Sequence, residues 1–193
     1  MPQVRKQVFD LQGINHLALV CKDMARTVDF YTNVLGMPLI KTIDFPGGAG
    51  QHFFFDVGNG DALAFFWFRD APPAQPGVSS AANRPLEGPI TSAHGSMNHV
   101  AFNVPEGKFD EYCAKLAARG VKCSRVLNHN DGQPDTTIDA VTPTTFVRSV
   151  YFSDPDGILL EFACWTRALD PKTDALVPPR NAVGETRVAE PAV

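Results

Sequence analysis

An internal repeat constrains this chain more than any other feature. Residues 14–20 read INHLALV and residues 97–104 read MNHVAFNV. Each is a short alternating run, the signature of a half-buried strand. A helical stretch follows each. The first covers 23–34, with Met24, Val28 and Tyr31 at helical spacing and Gly36 just past its end. The second covers 106–119, with Phe109, Tyr112, Cys113 and Leu116 on one face and Gly120 as its stop. Three further strand segments complete each half: 37–45, 51–57 and 61–68 in the first, and 121–128, 147–153 and 158–164 in the second. The final hairpins turn on glycine, at Gly58-Asn59-Gly60 and at Asp154-Pro155-Asp156-Gly157. The expected fold is α+β, built from two β-α-β-β-β modules.

The modules divide the chain. Residues 1–68 carry the first module behind an N-terminal arm, 69–96 form a linker rich in Pro, Ala and Ser, and 97–166 carry the second module. Residues 129–146 read as a polar loop absent from the first half, and 167–193 as a Pro-rich tail, flexible or draped over a neighbour. Basic residues number 17 against 21 acidic ones, with both signs mixed along the chain. Without a basic run, neither a nucleic acid nor a membrane surface is an expected partner. The apolar run 62–68 is far too short for a membrane span, and MPQVRKQVFD contains no apolar signal segment, so a cytoplasmic protein is expected. Cys21, Cys113, Cys123 and Cys164 form no CxxC pair and read as free thiols in a reducing compartment. The glycines of 45–50 precede neither Lys-Ser/Thr nor a helix, so they form a flexible cover and not a phosphate loop.

The chemistry concentrates on residues that the repeat superimposes. His16 and His99 hold the same place in the two halves. If the halves pack about a pseudo-twofold axis, the two rings face each other. Glu161 lies in an otherwise apolar strand, Ile-Leu-Leu-Glu-Phe-Ala-Cys. A carboxylate buried there needs a partner. Two imidazoles and one carboxylate form a facial ligand set for a divalent ion. His16, His99 and Glu161 are therefore expected to converge on one metal.

These histidines, the paired modules and VYFSDPDGILLEF at 150–162 resemble the vicinal oxygen chelate superfamily over about residues 12–166. That superfamily includes glyoxalase I, extradiol dioxygenases and the fosfomycin- and bleomycin-resistance proteins. The resemblance implies paired curved mixed sheets around a metal-containing cleft. Tyr151-x-x-Asp154-Pro155-x-Gly157-x-x-x-Glu161 is similar to the latter half of the extradiol signature, although Thr142-Pro143-Thr144 stands where its earlier histidine would be. Aligning Gly60 with Gly157 sets Ala64 opposite Glu161. Glyoxalase-type lyases draw a fourth ligand, a glutamate, from that strand, and alanine cannot supply one. The resemblance then implies a dioxygenase of extradiol type using Fe(II), or Mn(II), with O2 and a small aromatic or vicinally oxygenated substrate. A glyoxalase-type lyase or isomerase is the first rival, and a non-catalytic binding or resistance protein the second.

The same alignment pairs His52 with Ser149 and Phe54 with Tyr151. His52 and Tyr151 are the expected proton-handling residues. Phe54, Phe66 and the loop residue His129 are expected to line the substrate cleft, while His94 is a weaker loop candidate. A homodimer that exchanges modules is compatible with this arrangement.

Overall fold

The computed structural model describes residues 11–131 and 137–186. The arm at 1–10, the centre of the expected polar loop at 132–136 and the end of the tail at 187–193 lie outside the described residues. Residues 12–166 form one compact unit. It contains two open mixed sheets, laid down in the same sequence of elements except for one extra two-residue strand in the second.

The first module runs β1 (His16–Cys21), α1 (Met24–Val28), β2 (Leu39–Asp44), β3 (Gly50–Gly58) and β4 (Asp61–Phe68). The second runs β5 (Val100–Asn103), α2 (Phe109–Ala118), β6 (Leu127–Asn130), β7 (Thr137–Ile138), β8 (Thr145–Ser153) and β9 (Leu159–Trp165). The sheet orders are β1-β4-β3-β2 and β5-β9-β8-β6-β7. In each, the module's first strand pairs parallel to its last, and the remaining pairs are antiparallel.

Alternation gives each sheet two unlike faces. One carries Leu19, Cys21, Phe55, Leu63 and Phe65 in the first sheet and Val150, Phe152 and Leu160 in the second. With Tyr31, Phe109 and Leu116 from the helical segments, these side chains make one continuous core. Each fully buried aromatic or leucine contributes roughly 1.5–3 kcal/mol. The opposite faces carry the candidate site residues.

Local chemistry shifted several expected boundaries. The helix expected over 23–34 is α-helical only to Val28 and continues as a π-helical turn, Asp29–Val34. Thr32 Oγ1 donates to the Val28 carbonyl at 2.6 Å, which competes with the backbone ladder. The strand expected over 121–128 starts only at Leu127. Ahead of it, the Ser124 hydroxyl accepts from Tyr151 N at 3.0 Å in place of a backbone carbonyl. Residues 129 and 130, expected in a loop, belong to β6, and 137–138 form β7. Their polarity misled because the buried Asn128 donates to the carbonyls of Ile138 and Asp139, both at 3.0 Å.

The segment between β4 and β5 is anchored. Asn83 donates to Pro89 O at 2.9 Å, and Arg84 reaches Lys122 O at 2.8 Å. Ala81 is buried against Leu127, Tyr151 and Leu159. Described separately, residues 167–186 hold a short α3 (Pro171–Asp174) capped by Asp170, with Arg167 paired to Asp174 at 2.6 Å. Among the described residues, no helix is long and apolar enough to cross a membrane.

The β8–β9 hairpin latches the second module to the first. Asp154 Oδ1 accepts from Asp156 N at 2.9 Å and Ile158 N at 2.8 Å, which shapes the turn. Its Oδ2 accepts from the Tyr31 hydroxyl at 3.3 Å, and Lys22 N donates to Asp156 Oδ2 at 2.9 Å. Burial pushes the Asp154 carboxyl up to about 6, despite those donors. A carboxyl raised on folding stabilises the fold below its unfolded value near 4, and that contribution is lost as pH rises through 6. Asp154→Asn can keep both backbone N–H bonds on Oδ1 without the charge, and its amide N–H replaces Oδ2 as a donor toward the Tyr31 hydroxyl. Its chemical denaturation should lose a slope on the order of 2–3 kcal/mol between about pH 4 and 6. An unchanged slope in the variant would place the titrating group elsewhere.

Candidate metal centre

Parallel pairing brings the second-module residues together. β5 and β9 are in register at Ala101↔Glu161, and β8 and β9 at Tyr151↔Glu161. His99, just before β5, therefore reaches along the same face, and its Nε2 lies 3.0 Å from Glu161 Oε2. Ser149 and Tyr151 project from β8 beside them, and His129 from β6 stands on the same face by register.

Glu161 is only 5% exposed. Burial alone would raise its pKa. The hydrogen bond and charge of His99, with the nearby Ser149 and Tyr151 hydroxyls, outweigh that and hold it below the ordinary glutamate range. Burial and the Glu161 charge push the Tyr151 phenol up to about 12. Burial pushes His129 down, and Glu161 only partly offsets this. The face thus holds an anionic carboxylate, a neutral phenol and an imidazole biased toward its neutral form.

These residues fit a divalent cation. Two donors about 2.1 Å from one ion and at right angles lie about 3.0 Å apart. The His99–Glu161 spacing of 3.0 Å suits adjacent positions on such an ion. An unprotonated imidazole nitrogen and a carboxylate both present lone pairs, so their approach calls for a proton or a cation between them. Ser149 supports the same view. Its hydroxyl lies beside the carboxylate, is fully buried, and among the described residues meets no partner at full hydrogen-bond geometry. An orphaned buried hydroxyl costs about 1–3 kcal/mol, which ligands gathered at this point could recover.

His16 is not part of this cluster within one chain. It lies on β1, exposed, with its ring 5.6 Å from Phe54 and its Nδ1 2.8 Å from Asn15 Oδ1. Among the described residues, no three His, Cys, Asp or Glu side chains gather at one point. The two histidines occupy equivalent places in their sheets, on the faces opposite the shared apolar core. Within the described residues of one chain, the three expected ligands do not gather at one point.

The first-module face is an aromatic platform. His52 stacks on Phe66 with centroids 3.6 Å apart and planes 7° apart, and meets Phe54 edge-on at 4.3 Å. Phe66 stacks in turn on Phe68 at 5.2 Å. His52 Nδ1 lies 3.2 Å from the Phe65 carbonyl. A carbonyl only accepts, so Nδ1 carries a hydrogen, and in the neutral ring the lone pair is then on Nε2. Ala64 pairs with Ala18 as Glu161 pairs with Ala101, which fixes Ala64 as the first-module counterpart of Glu161. Val20 is 50% exposed, Phe68 40% and Ile43 38%, so this platform lies open in one chain. His94 is exposed in the connecting segment.

Sequence reading missed Ser149 as a candidate in its own right, Ala81 beside Tyr151, and Asn15 and Asn98 beside the histidines. The last two had a visible signal, since both repeats spell Asn-His.

The sequence profile of the Glyoxalase/Bleomycin resistance protein/Dioxygenase superfamily matches residues 13–162, and the chain belongs to that superfamily. Metallothiol transferase FosB of Lysinibacillus sphaericus is 29% identical over 152 residues, covering 79% of this chain and 82% of that protein. A putative ring-cleaving dioxygenase, MhqE of Bacillus subtilis, is 28% identical over 114 residues. That match covers 57% of this chain, which spans only 32% of the relative's length. Lactoylglutathione lyase of Pseudomonas aeruginosa is 26% identical, covering 76% of this chain and 79% of the enzyme. Among solved structures, a glyoxalase family protein from Enterococcus faecalis shares the fold with a TM-score of 0.54 at 22% identity, covering 79% of this chain and 97% of that one. FosX from Listeria monocytogenes, solved with Mn(II) and a dihydroxypropylphosphonic acid, does so at 0.50 and 20%, covering 81% and 94%.

The Tyr151 environment has a direct optical test. The phenolate absorbance isolated as parent minus Tyr151→Phe should rise with a midpoint near pH 12. A midpoint near 10, the ordinary tyrosine value, would mean that the ring is solvated and distant from Glu161.

Proposed function

We propose that this protein is a metal-dependent dioxygenase of extradiol type, acting on a small aromatic or vicinally oxygenated substrate. Its metal would be held by His99 and Glu161 of one protomer and His16 of a second copy of the chain. The observation that carries the reaction class is Ala64, where the counterpart position bears Glu161. Without a fourth protein ligand, an octahedral ion keeps three positions open. Bound there, Fe(II), or alternatively Mn(II), would supply sites for two substrate oxygens and O2.

The chain's own residues suit such a substrate. Phe54, Phe66 and the stacked His52 ring give an aromatic ligand a flat apolar wall. His52 Nε2 is available to take a proton from a substrate hydroxyl. Tyr151, kept protonated, can donate to a developing anion, and a neutral His129 can accept or relay a proton. Lys41 is the one cation on the site-side strand faces among the described residues. That poverty of cations weighs against a dianionic phosphonate as substrate.

The second copy follows from exposure. The His16 face shows Val20, Phe68 and Ile43 to solvent, and the Glu161 face shows Trp165. Closing one protomer's first sheet over another's second sheet would bury both faces and complete the ligand set twice in a twofold dimer. Thiol transfer or glyoxalase-type chemistry is the second reading, favoured by the longer overlap with FosB and with lactoylglutathione lyase.

Protein purified anaerobically should hold one divalent metal per chain and consume O2 stoichiometrically with a catechol or hydroquinone. Ala64→Glu should keep the metal and lose oxygen uptake, because the added carboxylate fills an open position. Anaerobic turnover of a thiohemiacetal, undiminished in Ala64→Glu, would defeat the dioxygenase reading and support its rival.

The shared site has its own test. His16→Ala and Glu161→Ala chains should each fold but bind no metal. Co-refolded, they should recover about a quarter of the parent metal content, since half of the random dimers are mixed and each has one intact site. A mixture that stays empty would place all three ligands in one chain.

A further inference from the structure

Asn98 stands immediately before His99, and its carboxamide has only one way to lie. Its Nδ2 donates to the Ile90 carbonyl at 2.7 Å and to Ser92 Oγ at 3.2 Å. The Ile90 carbonyl can only accept, so the nitrogen end of the amide must face the connecting segment. The oxygen end then faces His99, and Oδ1 lies 2.9 Å from its Nδ1. An amide oxygen cannot donate, so His99 Nδ1 carries the hydrogen. The remaining nitrogen, Nε2, is the one 3.0 Å from Glu161.

We propose that Asn98 is a positioning residue that locks His99 in the Nδ1–H tautomer and aims its Nε2 lone pair at the cation, with the connecting segment as its anchor. The inference deepens the metal reading above and rests on it. Imidazole ligands that donate their other N–H to a fixed acceptor are held in orientation and made more basic, and loss of that acceptor costs about 10–100-fold in metal affinity. The first repeat has the same pair, with Asn15 Oδ1 2.8 Å from His16 Nδ1. Among the described residues no side-chain bond from Asn15 to another segment accompanies it, whereas Asn98 has its anchor at Ile90 and Ser92.

Asn98→Leu removes the acceptor at similar volume, and Asn98→Asp keeps an acceptor for Nδ1 while giving up the donor to Ile90. Thermal unfolding of each variant reports any general loss of structure. Titrated with Mn(II) or Zn(II), Asn98→Leu should bind about 10–100-fold more weakly than the parent, and Asn98→Asp should recover most of that loss. Equal affinity in Asn98→Leu and parent would overturn the inference, as would an aspartate variant that folds normally but binds as weakly as the leucine variant. A second readout needs no metal. In 15N spectra of the neutral ring, His99 should carry its proton on Nδ1 in the parent and shift it to Nε2, toward Glu161, in Asn98→Leu. A parent ring protonated on Nε2 overturns the inference even if metal binds. A parent that takes up no metal but shows the Nδ1–H tautomer overturns the metal reading and leaves the tautomer lock standing.

Discussion

Parallel pairing of the first and last strands within each module is the constraint on which the rest of this structure depends. It sets β5 beside β9 and so places His99 against a glutamate 62 positions further along the chain, at 3.0 Å. The same pairing in the first module sets β1 beside β4, where the equivalent contact meets Ala64. A parallel pair needs a long crossover, and here the helix and two antiparallel strands supply it. Each helix then covers the apolar face of its sheet, which leaves the opposite face for chemistry.

Glu161 shows how such a face can hold charge away from water. Burial opposes ionisation, yet His99 just ahead of β5 and Ser149 and Tyr151 on β8 reverse the balance. Asp154, seven positions earlier on the same hairpin, shows the opposite outcome. Its carboxyl accepts two backbone N–H groups and the Tyr31 hydroxyl, yet desolvation still dominates and its pKa rises. Glu161 has His99 and two hydroxyls turned toward it, whereas Asp154 has a second carboxylate, Asp156, beside it. One carboxylate is therefore suited to a ligand site, while the other serves to seat one module on the other.

The segment between the modules contributes to the site as well as joining its parts. It packs Ala81 against Tyr151, and through Ile90 and Ser92 it orients Asn98. A stretch rich in Pro and Ser thus acts as a wall and an anchor. Its composition signals irregular backbone, but gives no sign that its carbonyls hold side chains next to the candidate ligands.

What the sequence determined by itself was whatever is periodic or duplicated. The repeat of INHLALV and MNHVAFNV, the alternation along 61–68 and 158–164, and the glycine turns were enough to give two β-α-β-β-β modules and the equivalences of Ala64 with Glu161 and of Phe54 with Tyr151. These depend on local geometry, in which spacing along the chain translates directly into a face. Tertiary structure decided the rest. The π-helical turn, the late start of β6 and the burial of Asn128 depend on single side-chain hydrogen bonds that no periodicity encodes. Above all, whether His16 meets His99 depends on which faces of the two sheets turn toward each other. Both faces alternate with the same period, so the sequence marks them as distinct without saying which will pack. The main buried apolar cluster gathers on the backs, around Tyr31, Phe55, Phe65 and Phe152, and its burial joined the backs and left the two histidines on the opposite faces of their sheets.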